Sequence, residues 1–195
     1  MEVAPTTLEG RSVRLEPLAE RHAADLAAVA EPEIFRFLID RPERFGDSES
    51  TRAYVARLAA AADRLPFAVV DLASGRAVGS SSYLAIRPQH RGLEIGNTWY
   101  ARAVQGTHVN PEAKLLLLRH AFEALRCERV ELKCDARNAR SIAAMEKLGC
   151  VREGVLRRHM VLPDGFVRDT VMFSIVAAEW PDVRARLVRR LGHAP

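Results

Sequence analysis

Two stretches of the chain join a strand-like run to a helical one, and both carry residues suited to binding an anion. Gln105-Gly106-Thr107-His108-Val109-Asn110-Pro111 closes the first run and opens a strongly helical segment. Asn138-Ala139-Arg140-Ser141 follows a second run and starts a helix that stops at Gly149. A helix N-terminus leaves backbone N–H groups unpaired, and such groups hold phosphate well. Pro111 lacks a donor, but the other amides from Gly106 to Ala113 can converge on one anion. At the second junction the Asn138 and Ser141 side chains can bond whatever is attached to that anion. Either junction alone reads equally as a capped helix start. Together, in this strand order, they favour a phosphate-bearing ligand.

The strand before the first junction carries a candidate base. Gly92 to Tyr100 alternates, with Leu93, Ile95, Asn97 and Trp99 on one face and Glu94, Thr98 and Tyr100 on the other. A carboxylate withdrawn from water binds a proton more readily than one in solution, as a general base requires. Glu94 is therefore either that base or a structural glutamate paired with an arginine. His90 reads as a loop histidine. Asp169 shares a face with Val171, Phe173 and Ile175 and reads as a partner for Arg157 or Arg158. Trp99 and Trp180 read as packing residues. Cys134 shares a strand face with Val130 and Leu132, which makes it a buried free thiol. The three cysteines, Cys127, Cys134 and Cys150, have no metal-ligand spacing.

The elements that would position these groups follow from periodicity. Val13 to Glu16 alternates as a short strand that Pro17 ends. Helical segments are predicted from Glu20 to Ala30, from Pro32 to Leu38, and from an N-cap at Ser48 through Tyr54, Val55, Leu58 and Ala62. Phe67 to Val70, Ala77 to Ile86 and Gly92 to Tyr100 form an antiparallel meander. Asn110 is the expected N-cap of the next helix, with Pro111 at its first position, Glu112 complementing the dipole, and Leu115, Leu118, Phe122 and Leu125 as the buried stripe. Arg129 to Cys134 is a strand and Asn138 to Leu148 a helix with Gly149 as its stop. His159 to Leu162 and Phe166 to Val176 are strands joined by the turn Pro163-Asp164-Gly165, and Glu179 to Leu191 is a closing helix. The predicted class is α+β: an α/β mixed, mostly antiparallel sheet with helices on both faces. Only the unit from Gly92 to Cys134 has the helical crossover that parallel pairing needs, so the sheet is expected to splay there and open a cleft.

A chain of 195 residues fits one domain, 1–195, with a sizeable core. Its 29 basic and 25 acidic residues leave a net charge of +4, too mild to point to nucleic acid but no obstacle to an anionic ligand. Arg184, Arg186, Arg189 and Arg190 read as a solvated helix face with no interleaved aromatics. Met1 to Pro5 has no secretory pattern and no apolar run reaches membrane-span length, so a cytoplasmic location and no membrane partner are expected.

Several stretches, in order, resemble the GNAT acetyltransferases: Glu94-Ile95-Gly96, then Gln105 to Asn110, His120-Ala121-Phe122-Glu123, and Glu128-Arg129-Val130. The likeness continues through Asn138-Ala139-Arg140-Ser141-Ile142, Glu146-Lys147-Leu148-Gly149 and Arg152-Glu153-Gly154-Val155-Leu156-Arg157. The chain is most similar to the RimJ/RimL-type branch, whose members acetylate protein N-termini. The resemblance implies a sheet splayed at the cofactor cleft and acetyl-CoA (coenzyme A) as co-substrate, with no metal. It implies transfer to a primary amine, either a protein N-terminus or a small molecule, by direct attack in a ternary complex. The pyrophosphate would lie on Gln105, Gly106, Thr107, His108, Val109 and Asn110, the pantetheine arm on Asn138 and Ser141, and the thioester carbonyl on backbone N–H groups around Trp99 and Tyr100. Glu94 would take the amine's proton, and Ser141 or a water would supply one to the departing thiolate. No cysteine is expected where a covalent acetyl-enzyme would need it. A homodimer is compatible with this reading. Two positions depart from the family pattern: His108 stands at the middle glycine of Gln/Arg-x-x-Gly-x-Gly/Ala, and Met145 stands where many members have a tyrosine acid. The alternative reading is a non-catalytic acyl-CoA-binding module or sensor that keeps the fold.

Overall fold

The computed structural model describes residues 1–192, so three residues of the expected domain 1–195 lie outside it. Eight strands form one sheet: β1 (Leu8–Glu9), β2 (Val13–Pro17), β3 (Arg64–Asp71), β4 (Arg76–Arg87), β5 (Gly92–Tyr100), β6 (Arg129–Asp135), β7 (Val151–Val161) and β8 (Val167–Val176). Among the described residues five α-helices accompany them: α1 (Ala23–Val29), α2 (Ser48–Ala60), α3 (Val109–Arg119), α4 (Ala139–Leu148) and α5 (Trp180–Arg190). The spatial order is β1-β2-β3-β4-β5-β6-β8-β7. All neighbours are antiparallel except β5 and β6. That parallel pair spans only Gly92–Glu94 against Arg129–Glu131, and beyond it the strands separate as expected.

Each sheet face has its own core. Leu15, Phe67, Val69, Tyr83, Leu93 and Ile95 meet α3 and α5 through Leu117, Leu118, Val183 and Leu187. The fully buried Tyr83 donates its hydroxyl to the Leu117 carbonyl at 2.7 Å, pinning α3 across the sheet. On the other face Ala68, Val70 and Trp99 pack under α1, α2 and the turn Pro32–Phe35 through Leu26, Phe35, Tyr54 and Leu58. Among the described residues no helix is long and apolar enough to cross a membrane, and no group of three or more His, Cys, Asp or Glu could hold a metal.

The structure corrects several element boundaries. Asp47, not Ser48, caps α2, its carboxylate accepting the Ser50 N–H at 2.7 Å. α3 starts two residues earlier than expected, with His108 as N-cap and Asn110 in its first turn. The helix then widens into a π-turn over His120–Ala124. Glu112 is buried and bonds the turn between β1 and β2, accepting the Arg11 and Ser12 N–H groups. β7 begins at Val151, eight residues before the expected His159. It is an edge strand exposed on both sides with two register irregularities, so its sequence carries no clean alternation. Asp169 is exposed and accepts the backbone N–H of Arg158 at 2.6 Å, not a guanidinium.

The most consequential correction lies in β5. Ser80 pairs with Trp99 and Ser82 with Gly96, so Asn97 and Thr98 stand against Ser81 alone. Asn97 takes a φ of +48° to make this bulge. The extra residue reverses the alternation beyond it. Trp99 therefore joins the face of Glu94, and Tyr100 joins the core of Leu93 and Ile95, opposite to the strict alternation.

Candidate active site

A cavity of about 930 Å³ fills the gap where β5 and β6 part. The N-terminal ends of α3 and α4 open onto it, and Glu94, Lys133, Asp135 and Arg168 line it as well. Trp99, Tyr100, Gln105, Gly106, Thr107, Asn110, Asn138 and Ser141 all line this space, together with Glu94. Two expected site residues do not. His108 is exposed on the rim within electrostatic reach of Asp71, and Val109 is buried in the core. Both remain in the loop through their backbones.

The loop at α3 is organised around Gly106, whose φ of +80° favours glycine. Thr107 closes it by donating its hydroxyl to the Val104 carbonyl at 2.7 Å while accepting the Val109 N–H at 3.3 Å. The helical bonds begin only at Glu112 N–H to His108 O, 3.0 Å. Among the described residues the N–H groups of Gly106, His108 and Asn110 find no acceptor, which is the donor array an anion needs. Gln105 ties the two junctions together. Its amide donates to the Tyr100 carbonyl at 2.9 Å and accepts from Arg140 of α4 at 2.6 Å.

At the second junction Asn138 caps α4, accepting the Ser141 N–H at 3.1 Å. This leaves the Asn138 NH₂ for the cavity. Ser141, Ala144 and Met145 present one side of α4 to the same space. Cys134 lines the cavity beside Ser141, so a cysteine does reach the site. Burial pushes its thiol pKa up, which keeps it protonated and a poor nucleophile.

The bulge also frees a backbone donor. Ala101 N–H donates to Val78 O at 2.7 Å, so the preceding pair, Gly79 and Tyr100, is the non-bonded pair of the ladder. The Tyr100 amide groups therefore face away from β4, into the gap. Its carbonyl takes the Gln105 side chain, and its N–H is left to the cavity. Trp99 is anchored behind this wall, its indole donating to the Tyr54 hydroxyl at 3.2 Å and its ring centroid 4.7 Å from that of Phe35.

Sequence reasoning missed three cations of the cavity. Lys114 reaches in from α3 and donates to Thr98 Oγ1 at 2.9 Å; burial pushes its pKa down to about 8. Lys133 donates to Glu94 Oε2 at 2.8 Å, so the structural partner of that buried glutamate is a lysine and not an arginine. Arg168 lies in β8, buried on the same sheet face. The α3 periodicity that made Leu115 and Leu118 core gave no sign of Lys114, because a crossover helix beside a splayed sheet is buried nearly all round. Alternation in β6 could have found Lys133, which sits opposite Leu132 and Cys134.

A sheet splayed at its single parallel pair, with two helix N-termini and a buried glutamate on one cavity, defines an acyl-transfer architecture. The chain belongs to the GNAT family of N-acetyltransferases: the family described as Acetyltransferase (GNAT) domain matches residues 12–151. A T. thermophilus protein, provisionally described as an acetyltransferase, is 45% identical over 98% of this chain and 100% of its own, with a TM-score of 0.91. Mycobacterium smegmatis RimJ, solved in complex with CoA-disulfide, is 25% identical over 97% of this chain and 96% of its own, with a TM-score of 0.78. YdaF of Bacillus subtilis (strain 168), provisionally named a ribosomal N-acetyltransferase, is 30% identical over 109 residues. That match spans 56% of this chain and 58% of the relative's length.

Proposed function

We propose that the chain transfers the acetyl group of acetyl-CoA to a primary amine by direct attack in a ternary complex. The observation that carries this reading is the meeting, in one cavity, of unpaired amides at Gly106, His108 and Asn110 with the buried carboxylate of Glu94. When bound, acetyl-CoA supplies an acyl group activated as a thioester. The free N–H groups of the Gly106–Asn110 loop fit its diphosphate, and the Asn138 NH₂ and Ser141 hydroxyl fit the arm that follows. The CoA complex of the RimJ relative supports this assignment.

Glu94 receives the proton of the attacking amine, directly or through one water. Lys133 holds the carboxylate in place and compensates its charge. The Tyr100 N–H is a preorganised donor for the carbonyl oxygen as negative charge develops there. Met145 has no proton to give, so the Ser141 hydroxyl or a water protonates the departing thiolate. The name of the Bacillus relative makes a protein N-terminus one candidate acceptor, and a small-molecule amine is the other. Replacing Asn138 by Asp tests the cofactor half of the reading: the cap is kept, the NH₂ donors are lost, and acetyl-CoA affinity measured by calorimetry falls about tenfold. Unchanged affinity would remove Asn138 from the binding site.

A further inference from the structure

Arg168 projects from β8 on the sheet face of Glu94 and is only 5% exposed. Its Nε donates to Thr170 Oγ1 at 3.0 Å, and Glu94 lies within electrostatic reach of it. Among the described residues its two terminal nitrogens have no hydrogen-bond partner, and the residue lines the cavity. The neighbouring carboxylates are already engaged. Asp135 holds Arg137 through both oxygens, at 3.0 and 2.8 Å, and Glu94 holds Lys133 at 2.8 Å. Lys133 and Arg137 thus occupy both carboxylates, and Arg168 is left without an ion pair.

Burial pushes the Arg168 pKa down, yet a guanidinium keeps its proton inside proteins. A buried cation without a counter-ion is costly unless something arrives to pair with it. The planar fork of two free N–H groups matches a carboxylate in size and geometry. Asp135 and Glu94 both act electrostatically on Arg168 without pairing with it.

We propose that Arg168 is a carboxylate subsite of the acceptor pocket, so that the acceptor is an amine carrying an acidic group on the same molecule. The carboxylate lies on the Arg168 fork while the amine faces Glu94. The amine half of this inference rests on the acetyl-transfer reading; the anion half rests on the cavity alone. A free amino acid and an N-terminal acidic residue of a peptide share the required chemistry.

The test uses the full chain and two readouts. In the first, N-acetyl-β-alanine and its neutral amide are titrated while thermal melting is followed. The acid raises the melting temperature of the wild type and the amide does not; Arg168→Met abolishes the response and Arg168→Lys retains part of it, which excludes a merely misfolded variant. In the second, acetyl-CoA turnover is compared between amine acids and their amides, with β-alanine and glutamate as free acceptors and peptides beginning with Asp or Asn as the macromolecular arm. At least a tenfold preference for the acid in kcat/KM is expected, carried mainly by KM and flattened to within twofold by Arg168→Met. Equal stabilisation of wild type and Arg168→Met, or none in either, would overturn the subsite. So would acetylation of neutral and acidic amines at equal efficiency, an outcome that leaves the acetyl-transfer reading standing. Arg168-dependent binding of the acid with no amine acetylated would uphold the anion site and sink the acetyl-transfer reading.

Discussion

Lys114 donates to a threonine hydroxyl, and among the described residues no carboxylate pairs with it. Its amine titrates near pH 8 in the fold against an ordinary 10.5, because burial penalises the charged form. The sign follows from proton binding. Below about pH 8 both folded and unfolded chains carry the charge, and the fold bears the full penalty. As pH rises toward 10.5 the unfolded chain holds the proton that the folded chain has lost, so stability from this group rises and the penalty disappears. At about 1.4 kcal/mol per pH unit the penalty is about 3 kcal/mol, offset by about 1 kcal/mol from the hydrogen bond to Thr98. Lys114→Met is therefore expected to stabilise the protein by about 2 kcal/mol at pH 7 in urea unfolding, and to lose that advantage above pH 10. A variant less stable than wild type at pH 7 would refute this account. None of this chemistry was legible in the sequence, where Lys114 stands in an apolar stripe. Glu94 was legible, since alternation with Leu93 and Ile95 marked it, but its lysine partner needed the pairing of β5 with β6.

At the scale of elements, α4 carries two roles at its start and a sharp stop at its end. Asn138 is both a cap and a wall of the cavity, so the two readings the sequence left open are compatible. Asp at this position keeps an acceptor for the Ser141 N–H and favours the helix dipole, so unfolding free energy should change by less than about 0.5 kcal/mol. Asn138→Ala should instead cost about 1 kcal/mol. Gly149 ends the helix at φ +101°, where its N–H and that of Cys150 both reach the Met145 carbonyl, at 3.2 and 3.0 Å. A Cβ there would sit 2.8 Å from the Arg186 guanidinium and would strain the backbone. Gly149→Ala is expected to lower stability by about 1–2 kcal/mol, and an unchanged urea midpoint would contradict the cap. Gly149 was readable from the sequence because the stop of a 3.6-residue pattern is local. The bulge at Asn97–Thr98 was not. An extra residue in a strand is defined only against its neighbour β4, and reading β5 alone put Trp99 on the wrong face.

Across the whole molecule the sheet order follows from connection lengths. Short connections force antiparallel neighbours for β1 with β2 and from β3 to β5, and α3 is the helical crossover that lets β6 lie parallel to β5. The splay was thus foreseeable, but the cations of its charged wall were not, because that wall gathers residues from β5, β6 and β8. The short β1 and the exposed edge β7 lacked the burial on which periodicity depends. Arginine–carboxylate pairs recur over the surface and make the fold's stability depend on pH. Arg21 donates to Glu16 and, with His22 and Arg14 adding against burial, holds its carboxyl down to about 2. A carboxyl depressed in the fold stabilises above its unfolded value of 4.5 and loses that contribution as pH falls toward 2. Glu16→Gln should therefore melt lower than wild type at neutral pH, with the two curves converging between pH 4.5 and about 2. A gap that persists unchanged to pH 2 would assign the effect to packing.

The central claim is that this cavity performs acetyl transfer with Glu94 as its base. The rate of acetylated-amine formation, measured by mass spectrometry at saturating acetyl-CoA for wild type and Glu94→Gln, tests it most directly on a panel of acidic and neutral primary amines. The account predicts turnover by the wild type and a loss of about 10²- to 10⁴-fold in the variant, the range a general base contributes. Turnover within twofold of wild type would contradict the role of Glu94. Saturable acetyl-CoA binding with no product from either protein would contradict the enzyme itself and leave an acyl-CoA-binding module on this fold.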